Sequence, residues 1–227
     1  MTTQCVAPKL REPLAAGVSP KGEGGVSTPS SFKVIGVTGG IASGKSTVAR
    51  MIARDTFPQL DADQLVHHLM ATDGETIRAI GDAFPAAVVN GMISRAELSK
   101  YIALDSNNIS VLESIIHPRV RAAEERAIDE ARVAGKKAVV LDIPLLFESG
   151  AETLCDVVVA VVAPLEVRKA RAFARPAMSA IKWDRLIHRQ LTDEARAAKA
   201  DHVIHTDCPE AQTKAEVDAL LTQWGLA

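Results

Sequence analysis

A glycine-rich run that ends in a lysine and two hydroxyl residues is the segment best suited to chemistry. Residues 39–47 read GGIASGKST and match the pattern G-x-x-x-x-G-K-[ST] at every fixed position. Glycines let the backbone turn tightly, so that successive N–H groups point into one concavity, and a following helix adds its positive N-terminal end. The pattern therefore predicts a loop that binds the phosphates of a nucleoside triphosphate, which we expect to be ATP.

Each residue of this loop has an expected role. Lys45 supplies a full positive charge for the β- and γ-phosphates, the Ser46 hydroxyl is suited to ligate Mg²⁺, and Thr47 can reach the α-phosphate. A chance glycine-rich turn is the alternative, but an apolar strand pattern precedes the loop and a helical pattern follows it. The remaining residues expected to contact ATP are Gly39, Gly40, Ile41, Ala42, Ser43 and Gly44.

Two aspartates follow the loop at a distance that fits one helix and one short strand. Asp61 and Asp63 lie 16 and 18 residues after Lys45, and a strand over residues 57–60 would return the chain to the same edge of the sheet. Alternation along a strand would aim both carboxylates to one side. Phosphoryl transfer to a hydroxyl needs a carboxylate that orients and deprotonates the nucleophile, and we interpret Asp63 as that base. A helix N-cap is the alternative role for such an aspartate.

A third carboxylate ends another apolar run. Residues 138–141 are AVVL, and Asp142 follows them directly. An acidic residue at the end of a strand beside a phosphate-binding loop is typical of support for Mg²⁺. A solvated strand end is the alternative, and the sequence does not decide between the two.

A cluster of arginines follows the most valine-rich segment of the chain. Arg168, Arg171 and Arg175 are spaced i, i+3 and i+7, which predicts a helix with three guanidiniums on one face, and Arg185 and Arg189 repeat the pattern one helix later. A solvated basic face is the ordinary explanation. Because a triphosphate also needs cations around the transferring group, we favour a mobile lid that closes over ATP, with Arg171 and Arg175 as its main cations.

The elements that must position these residues are visible as short apolar runs separated by helical segments. Continuous β-branched runs of this kind predict parallel strands that are buried on both faces, and hence a three-layer α/β fold. The runs occupy residues 34–37, 138–141, 157–162 and 202–204.

A long region without a strong strand signal, residues 65–134, predicts a helical insert at the edge of the sheet. Ser94 and Glu97 form a capping-box pattern that opens a helix over residues 96–104. Residues 108–134 are also helical in composition, with Pro118 as an interruption. From composition alone, His117 beside this proline indicates a structural kink.

Composition and charge exclude several classes of protein. The 227 residues carry 26 Lys and Arg against 28 Asp and Glu, and only 4% are aromatic, which argues against nucleic-acid binding. Three cysteines without a CxxC pair fit a reducing compartment. With no secretory signal and no apolar run of membrane-spanning length, we expect a cytoplasmic protein that does not insert into membranes.

Residues 1–31, rich in Pro, Gly and Ser, predict a flexible extension before a single domain over residues 32–227.

Taken together, these segments resemble the dephospho-coenzyme A kinase family from about residue 33 to about residue 221. The order and spacing of the DAD segment, of His117-Pro118 and of the PLLFE segment at residues 144–148 carry the resemblance beyond the phosphate loop. The sequence departs from the family at four positions: Ala42 replaces a glycine, Pro85 a glycine, Arg168 a glutamine and Thr206 an asparagine.

The resemblance implies a fold, a reaction and residue roles. The fold is a kinase core with five parallel strands, a helical acceptor-binding insert over about residues 65–134 and a helical lid over about residues 168–192. The reaction moves the γ-phosphoryl of ATP to the ribose 3′-hydroxyl of dephospho-coenzyme A. Apart from the resemblance, we expect a monomer or weak homo-oligomer. The alternatives are a kinase of another nucleotide-like small molecule and a nucleotide-binding switch. The implied roles are catalysis for Asp63, Lys45 and Arg171, ATP binding for Arg175, and acceptor binding for Asp63, His117, Leu145 and Glu148.

Overall fold

The computed structural model describes residues 32–176 and 178–227, so the predicted extension over residues 1–31 lies outside the described residues. The strands are β1 (Lys33–Gly39), β2 (Gln59–Asp61), β3 (Val88–Val89), β4 (Met92–Ile93), β5 (Ala138–Asp142), β6 (Val157–Val162) and β7 (His202–His205). The helices are α1 (Lys45–Ala53), α2 (Ala62–Thr72), α3 (Gly74–Ala83), α4 (Arg95–Leu104), α5 (Asn107–Val133), α6 (Leu165–Phe173), α7 (Ala180–Ile187), α8 (Asp193–Lys199) and α9 (Glu210–Gln223). In this part of the chain, no helix combines the length and the apolar character that a membrane crossing needs.

Five parallel strands form the central sheet in the order β2-β5-β1-β6-β7, which confirms the predicted α/β fold. β1 is central because it pairs with β5 on one side, where Val34 lies opposite Val139, and with β6 on the other, where Ile35 lies opposite Val157. β6 is buried at each of its positions. Strands of a parallel sheet are covered by helices on both faces, so a strand inside the sheet can be apolar at every position, as the valine run of β6 is.

Helices cover both faces of the sheet, and the alternation of side chains along each strand divides the core in two. Ile35 of β1 packs with Ile52 of α1 and Leu221 of α9 on one face. Val34, one residue earlier, packs with Ile128 of α5 on the other. This period of two makes three layers and holds the carboxyl ends of the strands along one edge.

The region between β2 and β5 is mostly helical, and it has its own apolar cluster around Ile80, Phe84 and Leu98. α4 begins at its predicted cap, since the backbone N–H of Glu97 donates to Ser94 Oγ at 3.4 Å. The region also contains a short hairpin, formed by β3 and β4, for which the sequence shows no strong strand signal. Asn90 and Gly91 connect these strands with φ angles of 52° and 76°, and an Asn-Gly pair with two positive φ angles is a preferred two-residue hairpin turn.

α5 runs through Pro118 without a break, so the predicted interruption is wrong. Proline lacks an N–H group and leaves a carbonyl of the preceding turn without its usual donor. The carbonyl concerned is that of Ser114, and the next carbonyl, that of Ile115, accepts from the Arg119 guanidinium at 2.7 Å. His117 therefore lies on a continuous helix and is exposed.

Candidate active site

The glycine-rich segment connects β1 to α1 as a tight loop. Gly44 caps α1 with φ 91°, a left-handed conformation that glycine adopts without steric cost. Ala42 also has a positive φ, 60°, so the departure from glycine at this position places a methyl group in a strained backbone. The methyl group packs in a buried cluster with Ala172 of α6 and Trp183 of α7, and this burial offsets part of the strain.

The backbone donors of the loop divide into two groups. Two of them are already used, since Ser43 N donates to the Gly40 carbonyl at 3.0 Å and Ile41 N donates to Gln190 Oε1 at 2.9 Å. Among residues 40–46, the amides that have no hydrogen-bond partner within the described part of the chain are those of Gly40, Ala42, Gly44, Lys45 and Ser46. Unpartnered amides at the start of a helix are donors for an anion, as the glycine pattern predicts.

Lys45 and Asp142 form an ion pair at the base of the loop. The position of Asp142 is set by the pairing of β5 with β1, in which Asp142 lies opposite Val37. Its side chain is 0% exposed, so the solvated strand end that the sequence left open is excluded. Asp142 Oδ1 accepts from Lys45, and Oδ2 is buried without a hydrogen-bond partner among the described residues.

The two aspartates after β2 have different roles because the strand ends between them. β2 ends at Asp61, whose carboxylate accepts from the backbone N–H of Gln64 at 3.1 Å and caps α2. Asp63 lies in the first turn of α2. The predicted alternation of both residues along one strand is therefore wrong, and the N-cap alternative describes Asp61.

Asp63 lies close to the charged groups of the loop. Loss of solvent around its carboxylate raises its pKa above the ordinary value, Asp61 and Asp142 raise it further by repulsion, and Lys45 lowers it by attraction. Lys45 and Asp142 are therefore both within electrostatic range of Asp63, whose side chain is exposed. An aspartate with a raised pKa is a stronger base than an ordinary one.

A cavity of about 390 Å³ opens beside the start of α1. It places the predicted metal ligand Ser46 and the capping residue Asp61 in one space. The lining residues are Ser46, Arg50, Gln59, Asp61 and Gln64.

The predicted face of three arginines is wrong, because each of them has a different environment. α6 ends at Phe173, so Arg175 lies beyond the helix, with its side chain exposed. Arg168 is buried and forms an ion pair with Asp193 at 3.1 Å. Arg171 points to the end of β7 instead.

Arg171 contacts the phosphate loop through a single intermediate residue. Its guanidinium donates to Thr206 Oγ1 at 3.1 Å and to the Thr206 carbonyl at 2.5 Å. The Thr206 hydroxyl in turn donates to the Ser43 carbonyl at 2.5 Å. Thr206 therefore links α6 to the loop.

The residues expected to bind the acceptor are spread over α5 and the segment after β5. Leu145 is half-buried. Glu148 Oε1 accepts from the backbone N–H of Leu191 at 2.8 Å, so its carboxylate is engaged with the segment before α8. His117 lies one helical turn after Glu113, which forms an ion pair with Arg189. This pair brings the predicted insert and the predicted lid together.

Sequence reasoning assigned no role to two residues that contact this site, Gln190 and Asp193. Nothing in the spacing of Gln190 indicated a hydrogen bond from Ile41 N to its side chain. Asp193 and Arg196 have the i, i+3 spacing of an ion pair on a helix. This spacing predicts the ion pair, but it does not predict that the pair lies behind the phosphate loop.

A phosphate-binding loop between a parallel strand and a helix, with a lysine and carboxylates at the same edge of the sheet, defines a P-loop kinase, an enzyme that transfers phosphoryl groups. A family model described as Dephospho-CoA kinase matches residues 33–212. The chain belongs to the dephospho-CoA kinase family. A Dephospho-CoA kinase of Mesorhizobium japonicum is 40% identical over 190 residues, which cover 84% of this chain and 95% of the relative. One of Bartonella quintana is also 40% identical over 190 residues, with 84% and 97% covered.

Solved structures share the fold. A protein of Thermus thermophilus superposes with a TM-score of 0.71 at 31% identity and covers 84% of this chain and 97% of its own. A dephospho-CoA kinase of Campylobacter jejuni gives a TM-score of 0.64 at 24% identity, with 85% and 96% covered.

Proposed function

We propose that this site transfers the γ-phosphoryl group of ATP to the ribose 3′-hydroxyl of dephospho-coenzyme A, which gives coenzyme A and ADP in the last step of coenzyme A biosynthesis. The observation that carries the proposal is the set of unpartnered loop amides around Lys45, with Asp63 beside them. Membership of the dephospho-CoA kinase family supports the identity of the acceptor.

The loop binds and orients the triphosphate. The free amides of Ala42, Gly44, Lys45 and Ser46 donate to the phosphate oxygens, and the Lys45 ammonium carries positive charge to the β- and γ-phosphates. Asp142 holds the Lys45 side chain through its buried carboxylate, so the ammonium is positioned before the nucleotide arrives. The Thr47 hydroxyl, in the same first turn of α1, contacts the α-phosphate.

Asp63 acts on the acceptor. Its carboxylate accepts a hydrogen bond from the 3′-hydroxyl and takes the proton as the oxygen attacks the γ-phosphorus. Its raised pKa favours this transfer, and attraction to Lys45 opposes part of the rise in that pKa. General-base catalysis of this kind contributes about 10²–10⁴-fold to a rate.

The residues present fit a magnesium ion. Asp142 Oδ2 is buried without a partner among the described residues, and Ser46 offers an exposed hydroxyl at the start of α1. We assign Ser46 and Asp142 as the residues that would hold Mg²⁺, which neutralises charge on the phosphates when bound.

Two segments around the loop complete the site. Residues 168–192 form the lid over ATP and supply Arg171 and Arg175 to the phosphates, so Arg171 exchanges its bonds to Thr206 for bonds to the nucleotide. Residues 65–134 bind the acceptor. His117, Leu145 and Glu148 contact the acceptor. Glu148 does so once its hydrogen bond with the backbone N–H of Leu191 has broken.

An acceptor panel tests the function. Purified protein with ATP and Mg²⁺ should produce ADP at a rate that depends on dephospho-coenzyme A and exceeds the rate with nucleoside monophosphates. A higher rate with another acceptor would show that this acceptor, and not dephospho-coenzyme A, is the substrate. Slow hydrolysis without acceptor dependence would indicate a nucleotide-binding switch. In the Lys45→Ala variant we expect no transfer above background.

The setting of the enzyme is also part of the proposal. We place it in the cytoplasm as a monomer or weak homo-oligomer, with no nucleic acid or membrane as partner. Light scattering across a range of concentrations measures the oligomeric state, and a stable higher assembly at nanomolar concentration would contradict it.

A further inference from the structure

A network of charged side chains lies behind the phosphate loop, at the base of the segment proposed as the lid. Arg168 pairs with Asp193 at 3.1 Å, and Asp193 accepts from Arg196 at 2.8 Å. Arg196 continues the network toward Glu148, 3.9 Å away. The two arginine side chains are only 8% and 0% exposed. Burial of guanidiniums carries a large desolvation cost, so their placement needs a reason beyond stability.

The network packs directly against the backbone of the loop. A Cβ added to Gly40 would lie 2.1 Å from Arg168 Nη1 and 3.3 Å from Asp193 Oδ1. The φ angle of Gly40 is not in the left-handed region, so the close approach of Arg168 is the feature that requires glycine there. The next residue, Ile41, donates its N–H to Gln190, three residues before Asp193. The start of the loop is therefore held by the lid base at two consecutive residues.

We propose that Arg168, fixed by Asp193, is a positioning residue of the phosphate loop. It supports the backbone at Gly40 and Ile41 so that the free amides that follow face the nucleotide. The support is needed because the next residue, Ala42, is held in a strained backbone. The inference rests on the proposed function only in that the loop binds ATP.

The first test separates nucleotide binding from acceptor binding. Arg168→Ala should raise the Kd for ADP and the KM for ATP about tenfold, since hydrogen bonds to charged groups are the strong ones. The KM for dephospho-coenzyme A should change less than about twofold. Arg168→Gln keeps one donor toward Asp193 and should show a smaller rise in both nucleotide constants.

The matched control is Arg132→Ala on the surface of α5, where Arg132 pairs with Asp129 at 3.0 Å. This variant should leave the Kd for ADP unchanged. Thermal melting of each variant verifies folding. An unchanged Kd for ADP in a folded Arg168→Ala or Arg168→Gln protein, or equal rises in the KM of both substrates, would overturn the proposal.

A double-mutant cycle tests the contact itself. In the wild-type background, Gly40→Ala displaces Arg168 and should raise the Kd for ADP. In the Arg168→Ala background the same change has no guanidinium to displace, so its additional effect should be less than about twofold. Fully additive losses would show that Arg168 and the loop act independently.

Because ADP binding is measured without an acceptor, the test of Arg168 does not depend on which reaction the enzyme catalyses. If the wild type phosphorylates none of the acceptors but Arg168→Ala still weakens ADP binding, the proposed function fails and the positioning role stands. If the wild type is active on dephospho-coenzyme A and the variant binds ADP normally, the positioning role fails alone.

Discussion

Asp63 is the residue whose replacement should affect the chemical step most selectively. In Asp63→Asn the side chain keeps its size but no longer accepts a proton, so kcat should fall by about 10²–10⁴-fold. The Kd for ATP should stay within about threefold, because the loop amides and Lys45 are unchanged. Steady-state kinetics and calorimetry measure the two effects. Asp73→Asn, a change at the N-cap of α3, is the control, and near-normal turnover in Asp63→Asn would show that the base is another group.

The pKa of Asp63 also makes a prediction about pH. Desolvation raises this pKa, and the negative charge of Asp61 raises it further. The base works only when it is ionised, so the acid limb of log kcat lies at higher pH than for an ordinary aspartate. Asp61→Asn removes one repulsive charge, which lowers the pKa of Asp63, and should move the limb to lower pH. A limb that stays in place or moves upward would contradict the assignment.

Ala42 tests how strain and burial balance within the loop. In Ala42→Gly the backbone at φ 60° loses about 1–2 kcal/mol of strain. The lost methyl burial, about 0.8 kcal/mol, and the greater freedom of glycine in the unfolded chain act in the opposite direction. The free energy of unfolding should therefore change by less than about 1 kcal/mol. Urea denaturation measures it.

Ala172→Gly is the matched control for Ala42→Gly, because it removes a methyl group from the same cluster in the interior of α6. It should cost about 2 kcal/mol, since glycine is also unfavourable inside a helix. Similar losses in both variants would show that the backbone of Ala42 is not strained.

At the scale of elements, α5 contains a buried carboxyl group. Glu124 is 3% exposed, and desolvation raises its pKa from 4.5 to about 7. Between these two values the folded state binds more protons than the unfolded state, so stability falls as pH rises from about 4.5 to about 7 and is level above. Glu124→Gln should remove this part of the fall. Melting temperatures across that pH range measure it, with the neighbour Glu125→Gln as control, and parallel curves for wild type and Glu124→Gln would contradict the prediction.

The elements that could be predicted are those set by local pattern. The apolar runs gave the central strands, and the Ser94 capping box gave the start of α4, because both depend on neighbouring residues. The hairpin of β3 and β4 had a signal in Asn90-Gly91, but its two-residue strands are too short for a periodicity to show. The continuity of α5 through Pro118 depends on the packing of the whole helix, which no local pattern contains.

In the candidate site, too, some features could be predicted from local sequence and others could not. The loop conformation follows from its glycines and lysine, since backbone turns are encoded locally. The buried state of Asp142 could not be predicted, because it depends on β5 lying next to β1. The partners of Arg168 and Arg171 come from α8 and from the end of β7, so the helical spacing of the arginines could not reveal them.

At the scale of the whole molecule, the first 32 residues lie outside the match to the family model. The family match begins at residue 33, and the Mesorhizobium japonicum relative is matched over 95% of its own length. A chain that begins at Ser31 should therefore keep kcat, both KM values and the melting temperature of the full chain. Parallel assays of the two proteins test this, and a loss of activity on truncation would assign a role to the removed residues.

The position of β1 at the centre of the sheet has a consequence for biosynthesis. Among the strands of the described residues, β1 is the first to leave the ribosome, but its partners β5 and β6 follow only after about a hundred further residues. Until then both hydrogen-bonding edges of an apolar strand remain open to other nascent chains. Chaperone protection during translation should therefore matter more for this chain than for a protein whose first strands pair as a hairpin.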